Sequence, residues 1–311
     1  MVVVDLRTFD IPLRLPFRGV TRRSGILVSG PAGWGEFSPF PEYGPELTRH
    51  WRAAATEAAT GMWPRPVRSS IPVNVTVPAT SAEQAHAIVA GSGCTTAKVK
   101  VGEGDDAADR ARVEAVRDAL GPAGKIRLDV NAGWDLDEAA RQIRCLAAFD
   151  LEYVEQPVGS AADMARLRRL VDVPLAADEL VRLSEDPHHL RLHEVADLIV
   201  LKVQPLGGVG RAFDVAEAIG LPAVVSSAVE TSVGLAAGLA LAAALPELPY
   251  ACGLATALLL EGDVVADPLL PVRGHIELRR PVPGDGPLRR WEAGAGERQC
   301  LLARWEAAAE P

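Results

Sequence analysis

The spacing of apolar positions in this chain changes near residue 68. Before that point VVVDLRTFDIPL and GILVSG read as strands, and PAGWGE as a turn leading into a short third strand. PFPEYGPE reads as a loop and Glu46 to Met62 as a helix. Residues 1–68 are therefore expected to form a small α+β cap. From Ile71 onward, short apolar runs alternate with helical patterns. The runs fall at 71–78, 96–102, 125–130, 151–156, 173–178, 198–203, 222–228 and 251–256. Between them lie stretches such as SAEQAHAIVAGSG, DDAADRARVEAVRDAL and DLDEAARQIRCLAAF. Ser81 and Asp135 carry N-cap side chains, and Gly121 and Gly220 sit where helices should stop. Eight strands, each followed by a helix or turn, predict an α/β fold in which residues 69–258 close a (β/α)8-type barrel. An open doubly wound sheet would favour a glycine-rich loop after VNVTVP, which is lacking, and GGVGR at 207–211 reads as a turn opening a helix. Residues 259–311 leave the barrel pattern. GDVVADPLLP and GHIELRRP look extended, ARWEAAAE looks like a short helix, and this segment is expected to return to the cap.

Composition narrows the function. A chain of 311 residues with 48% hydrophobic positions suits a barrel plus a smaller region around a large core. The net charge of −9, with no basic run, argues against a nucleic-acid partner. The most apolar stretch, Val233 to Leu245, is broken by Pro246 and is shorter than the ~20 residues of a membrane span. MVVVDLRTFD shows neither a basic n-region nor a cleavage site, so a cytoplasmic location is expected. Cys94, Cys145, Cys252 and Cys300 are scattered, which points to reduced thiols rather than zinc or disulfides.

The chemistry lies at the C-terminal ends of the apolar runs, the face of a barrel where active sites form. Lys98 and Lys100 stand in TAKVKV, Asp129 in IRLDVN, Glu155 in EYVEQP, Asp178 in PLAADE and Lys202 in IVLKVQ. Lys98 and Lys100 are two residues apart on a strand, so both point the same way. Inward-facing amines are costly without nearby anions, and the next three strands supply three carboxylates. Those oxygens suit Mg²⁺, with Mn²⁺ as a substitute. Amines on two sides of a bound molecule, with a cation beside it, suit removal of a proton next to a carboxylate. Each residue alone reads more readily as a cap, a salt bridge or a solvated edge. Six of them at one end of five consecutive strands make the case jointly. Arg127 and Asn131 share the parity of Asp129. Arg127 pairs with a metal ligand or Lys100, or forms a buried ion pair; Asn131 supports the metal shell or serves as a turn amide. Ser226 ends the seventh strand, where it meets a substrate carboxylate or caps a helix. Glu230 reads as a surface charge, and Arg18, Arg22 and Arg23 as cap residues near a dianionic substrate or in solvent.

With Lys98-Val99-Lys100, Asp129, Glu155, Asp178 and Lys202 in LDVNAGW, VEQP, ADE and LKVQPLGG contexts, the chain resembles the enolase superfamily, in its muconate lactonizing subgroup. The resemblance implies an enolase-like modified TIM barrel with a small capping domain. It also implies Asp129, Glu155 and Asp178 as metal ligands, Lys100 as the base tuned by Lys98, and Lys202 as the group holding the anionic intermediate. FRGVTRR, SSAVETSVGLAAGLALAAALP and ACGLAT are similar to a dehydrating branch of the subgroup. That branch implies a small carboxylate substrate that loses water. The cap looks short for the superfamily, so a monomer or weak homo-oligomer is expected. Three other readings compete: an N-succinylamino acid racemase or related epimerase, a non-catalytic barrel, and a Schiff-base aldolase. CGLAT lacks the DxD of dipeptide epimerases, a binding barrel need not keep all six residues, and an aldolase needs no acid triad.

Overall fold

The computed structural model describes residues 5–309. The predicted first strand is seen from Asp5; its Val2–Val4 portion lies outside the described residues. The cap opens with antiparallel strands β1 (Asp5–Phe17), β2 (Val20–Gly30) and β3 (Gly33–Phe37), followed by helix α1 (Pro45–Thr60). Trp51, Ala55 and Ala59 of α1 pack on Ile26, Val28 and Phe37 of the sheet. Contact is close because β3 carries Gly35 against the helix backbone: a Cβ there would lie 2.0 Å from the Ala55 carbonyl oxygen.

The chain then alternates. Strands β4 (Ser70–Pro72) and β5 (Val75–Val77) lead to α2 (Ala82–Ser92), β6 (Thr96–Lys100), α3 (Asp106–Leu120), β7 (Lys125–Asp129) and α4 (Leu136–Leu146). Next come β8 (Leu151–Glu155), α5 (Ala161–Leu167), β9 (Leu175–Ala177), α6 (Glu179–Arg182), β10 (Leu198–Lys202), α7 (Val203–Leu206) and α8 (Val209–Ile219). Strand β11 (Ala223–Ser226) and α9 (Ser232–Ala244) follow. β5 to β11 form one parallel sheet in sequence order. Its ends are joined by a minimal eighth strand, where Cys252 bridges Val73 and Gly253 bridges Ser226. The eighth run, 251–256, forms only this bridge before turning into a 3₁₀ helix at Ala255–Leu259.

The helix signals act as anticipated. The Ser81 and Asp135 side chains accept from Gln84 N and Glu138 N, and Gly220 ends α8 in the left-handed region at φ 69°. Apolar residues between the sheet and the helices form the main core. Within the barrel, Tyr153, Ala176, Leu198, Val200 and Val224 make a smaller core. Helix α9 is buried on every side.

After the barrel come β12 (His275–Glu277), α10 (Asp285–Arg290) and α11 (Ala295–Ala307). GDVVADPLLP is bends rather than strand, since Pro268 and Pro271 remove ladder donors. α11 starts earlier than ARWEAAAE suggested. Its Leu301 and Trp305, four apart on one face, bury against the cap, with Trp305 edge-on to Phe37 at 5.2 Å. Several ties join cap and barrel, among them those of Glu57 and Arg23. Glu57 of α1 accepts Val209 N (2.7 Å) and Gly210 N (2.9 Å), capping the turn of GGVGR. Arg23 of β2 donates to the carbonyls of Ala228 and Val229, beyond β11 (both 3.1 Å).

Candidate active site

Alternation along the strands sets the site. Lys98 and Lys100 on β6, Asp129 on β7, Glu155 on β8 and Lys202 on β10 face inward, and Asp178 follows β9 directly; all are buried. Parallel register places Lys100 beside Asp129, Asp129 beside Glu155, and Lys202 beside Ser226. Lys98 Nζ donates to Asp129 Oδ2 (2.9 Å) and to both Glu155 oxygens (3.1 Å each). Lys202 Nζ donates to Asp178 Oδ2 (2.6 Å) and lies 4.0 Å from Glu155 Oε1. Lys100 Nζ donates to Asn131 Oδ1 (2.5 Å) and stands 3.6 Å from Glu103. The Arg112 guanidinium holds the Lys100 carbonyl at 2.9 Å.

These charges set one another. Burial disfavours the Lys98 ammonium, but Asp129 and Glu155 overcome that and hold its pKa above the ordinary value. Burial likewise opposes ionisation of Asp129, and the three lysines outweigh it, so its pKa lies below the usual range. Glu155 is pushed up to about 7 by burial, against Lys98 and Lys202 and with the charges of Asp129 and Asp178.

A cleft between cap and barrel reaches this cluster. The barrel side presents Lys98, Asp129, Asn131, Lys202 and Ser226, and the cap side Phe17, Arg18, Phe40 and Tyr43. Lys100, Glu155 and Asp178 lie just behind this surface, hydrogen-bonded to residues that line it. Among the described residues, no group of three or more Asp, Glu, His or Cys side chains is arranged to hold a metal ion as it stands. The reason is local: the Lys98 and Lys202 ammonium groups lie between the three carboxylates. The donor set nevertheless fits a hard divalent cation. It offers carboxylate oxygens from three adjacent strand ends, and Asp129 Oδ1 and Asp178 Oδ1 are buried without a hydrogen bond. Arg182 Nε does lie 3.2 Å from Asp178 Oδ1, but its directed bond goes to Oδ2.

Several sequence expectations change here. Of its two readings Arg127 takes the buried ion pair, and it pairs with neither a metal ligand nor Lys100. It lies in the barrel below the cleft, donating to Glu152 (2.6 Å), Asn74 (2.9 Å) and the Ala251 carbonyl, 4.8 Å over the Tyr153 ring. Parity and its position two residues before Asp129 placed it inside the barrel and one step deeper, but did not name its partners. Ser226 Oγ is 3.5 Å from the Gly253 carbonyl and faces the cleft. Glu230 is buried, not a surface charge, and accepts Ala228 N at 2.8 Å. Arg22 pairs outside with Asp10, Arg23 is buried in the cap–barrel tie, and Arg18 alone of the three lines the cleft. Sequence reasoning missed Glu179, Arg182 and Tyr43. ADE and PEY carried the first and last without a spacing to mark them.

Comparison with known proteins agrees with this geometry. Residues 80–287 match the family described as Enolase C-terminal domain-like, and residues 8–59 match Enolase N-terminal domain-like. The chain belongs to the enolase superfamily. Among curated relatives, the o-succinylbenzoate synthase of Thermobifida fusca is 60% identical over 306 residues, covering 98% of this chain and 96% of that one. That of Mycolicibacterium smegmatis is 46% identical over 307 residues, with 97% and 94% covered. Muconate lactonizing enzyme from Pseudomonas fluorescens superposes with a TM-score of 0.81 at 21% identity, covering 93% and 98%, a likeness of fold. The L-Ala-D/L-Glu epimerase of Bacillus subtilis gives 0.75 at 26% identity, covering 91% and 98%.

Proposed function

We propose that this chain is a lyase catalysing the o-succinylbenzoate synthase reaction, the dehydration of a succinyl-hydroxycyclohexadiene carboxylate to o-succinylbenzoate. The observation that carries it is the near-full-length similarity to synthases in a chain whose amines and carboxylates gather at one cleft. Lys100 removes the proton alpha to the carboxylate. The electron pair moves into the ring, the C–O bond breaks, and Lys100 returns the proton to the departing hydroxyl, so water leaves and the ring becomes aromatic. Lys202 holds the negative charge that develops on the substrate from the opposite side. Lys98 fixes Asp129 and Glu155 through its three hydrogen bonds. Asp129, Glu155 and Asp178 would hold Mg²⁺, which when bound supplies a Lewis acid for charge developing on the substrate carboxylate. Ser226 and Arg18 face the rest of the substrate. The reading includes a place in menaquinone biosynthesis in the cytoplasm, and a monomer or weak oligomer. No helix among the described residues is long and apolar enough to cross a membrane.

An ultraviolet assay of purified protein with the cyclohexadiene substrate, with Mg²⁺ and then with EDTA, tests this. Metal-dependent formation of o-succinylbenzoate is expected. No conversion by folded, Mg²⁺-loaded protein refutes it and moves N-succinylamino acid racemisation to first place.

A further inference from the structure

An unbroken run of hydrogen bonds connects the cap to Lys100. Tyr43 lies in the loop between β3 and α1, and its hydroxyl accepts from Arg182 Nη1 at 2.7 Å. Arg182 Nη2 donates to Glu179 Oε1 at 2.6 Å. The same oxygen accepts from Asn131 Nδ2 at 3.0 Å, and Asn131 Oδ1 accepts from Lys100 Nζ at 2.5 Å.

Two branches leave the run, Arg18 Nη2 donating to the Tyr43 hydroxyl and Arg182 Nε to Asp178 Oδ2, both at 3.2 Å, but between Glu179 and Lys100 it has no slack. Glu179 Oε2 is buried and makes no hydrogen bond, so all of this carboxylate's bonding passes through Oε1. The backbone at Asn131 has φ 48°, which aims its amide between Lys100 and Glu179. At the other end the Tyr43 ring stands 5.3 Å from Trp51 and 6.4 Å from Phe40, centre to centre. The hydroxyl therefore moves with the cap. A lysine has four flexible side-chain bonds, and proton abstraction requires its amine within hydrogen-bond reach of one carbon-bound hydrogen. Among the described residues, the only oxygen hydrogen-bonded to Lys100 Nζ is that of Asn131, and Asn131 is set by this run.

We propose that Tyr43 is a positioning residue, acting through Arg182, Glu179 and Asn131 to make the orientation of Lys100 depend on how the cap is seated. This rests on the reading of Lys100 as the base. Tyr43 also lines the cleft, so a simple wall role is the competing explanation.

Tyr43→Phe removes the hydroxyl and keeps the packed ring. In the Mg²⁺-loaded enzyme kcat is expected to fall about tenfold with KM within about twofold, since misplacing a reacting group costs rate more than binding. With substrate deuterated alpha to the carboxylate, the isotope effect on kcat should rise. Tyr43→Phe/Asn131→Ala should be no slower than Asn131→Ala alone, because both cut one run. Arg182→Lys replaces Asn131→Ala in that cycle if the latter does not fold. Raised KM with unchanged kcat and isotope effect, or losses that multiply in the double variant, overturn the proposal. A second readout needs no turnover. An amine-acylating reagent, followed by peptide mass, should modify Lys100 faster in Tyr43→Phe than in the wild type, relative to exposed Lys125. An unchanged ratio refutes the tie. A wild type without conversion refutes the reaction class separately and leaves this ratio to decide.

Discussion

Glu36 offers a measurable link between the cap and the loop that walls the cleft. Its buried carboxylate, at the end of the cap sheet, accepts Ser38 Oγ (2.7 Å), Thr231 N (3.1 Å), Thr231 Oγ1 and Gly234 N (3.1 Å). It thereby caps α9 and fixes the residues following β11. Burial nevertheless dominates. It raises the Glu36 pKa from 4.5 to about 7 against the hydrogen bonds from Thr231 and Ser38, and the charge of Glu230 adds to the rise. A carboxyl whose pKa is higher folded than unfolded contributes stability that is complete below the unfolded value. That contribution is lost as pH rises through the folded value. The interval from 4.5 to about 7 corresponds to ~3 kcal/mol. Glu36→Gln removes the titration and keeps the shape. The test is urea unfolding of both proteins at pH 5 and pH 8, followed by circular dichroism. Other groups, Glu155 included, titrate in both proteins and cancel in the difference. The wild type should lose ~2–3 kcal/mol more than the variant between the two pH values, a little less than the full interval because pH 5 lies above the unfolded pKa. A wild-type-minus-variant difference that stays constant within ~0.5 kcal/mol refutes the claim that burial outweighs the donated bonds.

Two further outcomes follow from the geometry. Lys100→Met keeps side-chain length and removes the amine, so kcat/KM should drop about a thousandfold or more in the dehydration assay, with the melting temperature little changed. Gly35→Ala drives a Cβ into the Ala55 carbonyl at 2.0 Å, a backbone atom that cannot rotate aside, and should lower stability by ~1–3 kcal/mol in thermal melts.

The barrel and the six charged residues were legible because charge at the end of an apolar run is costly without a reason. Period-two parity then told which side each faces. Position along the strand put Arg127 one step deeper than Asp129, but not which groups it would meet there: its guanidinium closes the barrel beneath the carboxylates with Glu152 and Asn74, residues the pattern did not single out. Loops carry no period at all. Glu230, in SSAVETS, had nothing to mark it as buried, since its environment comes from Arg23 and Glu36 on the cap, about two hundred residues away in sequence. Tyr43 and Arg182 were invisible for the same reason: 139 residues separate the two ends of their hydrogen bond.

The charges around the cleft predict how metal and substrate bind. Four basic side chains, Lys98, Lys100, Lys202 and Arg182, interleave with the buried carboxyl groups of Asp129, Glu155, Asp178 and Glu179, directly or through Asn131, with Glu103 3.6 Å from Lys100 at the edge. The cluster is buried, so any excess charge is weakly screened. A divalent cation alone would add two positive charges to this cluster, and a dicarboxylate alone two negative ones. Bound together, their charges cancel, so each should strengthen binding of the other, and by linkage equally. Coupling between sites is typically ~1–3 kcal/mol, about 5- to 150-fold in affinity, and a buried site of this kind should fall in the upper part of that range. Calorimetric titration of Mg²⁺ into the protein, with and without saturating o-succinylbenzoate, measures it. The Mg²⁺ Kd should fall at least about tenfold with the dicarboxylate present, and less with benzoate, which carries one charge. An Mg²⁺ Kd indifferent to the dicarboxylate would mean that charge balance does not govern this site.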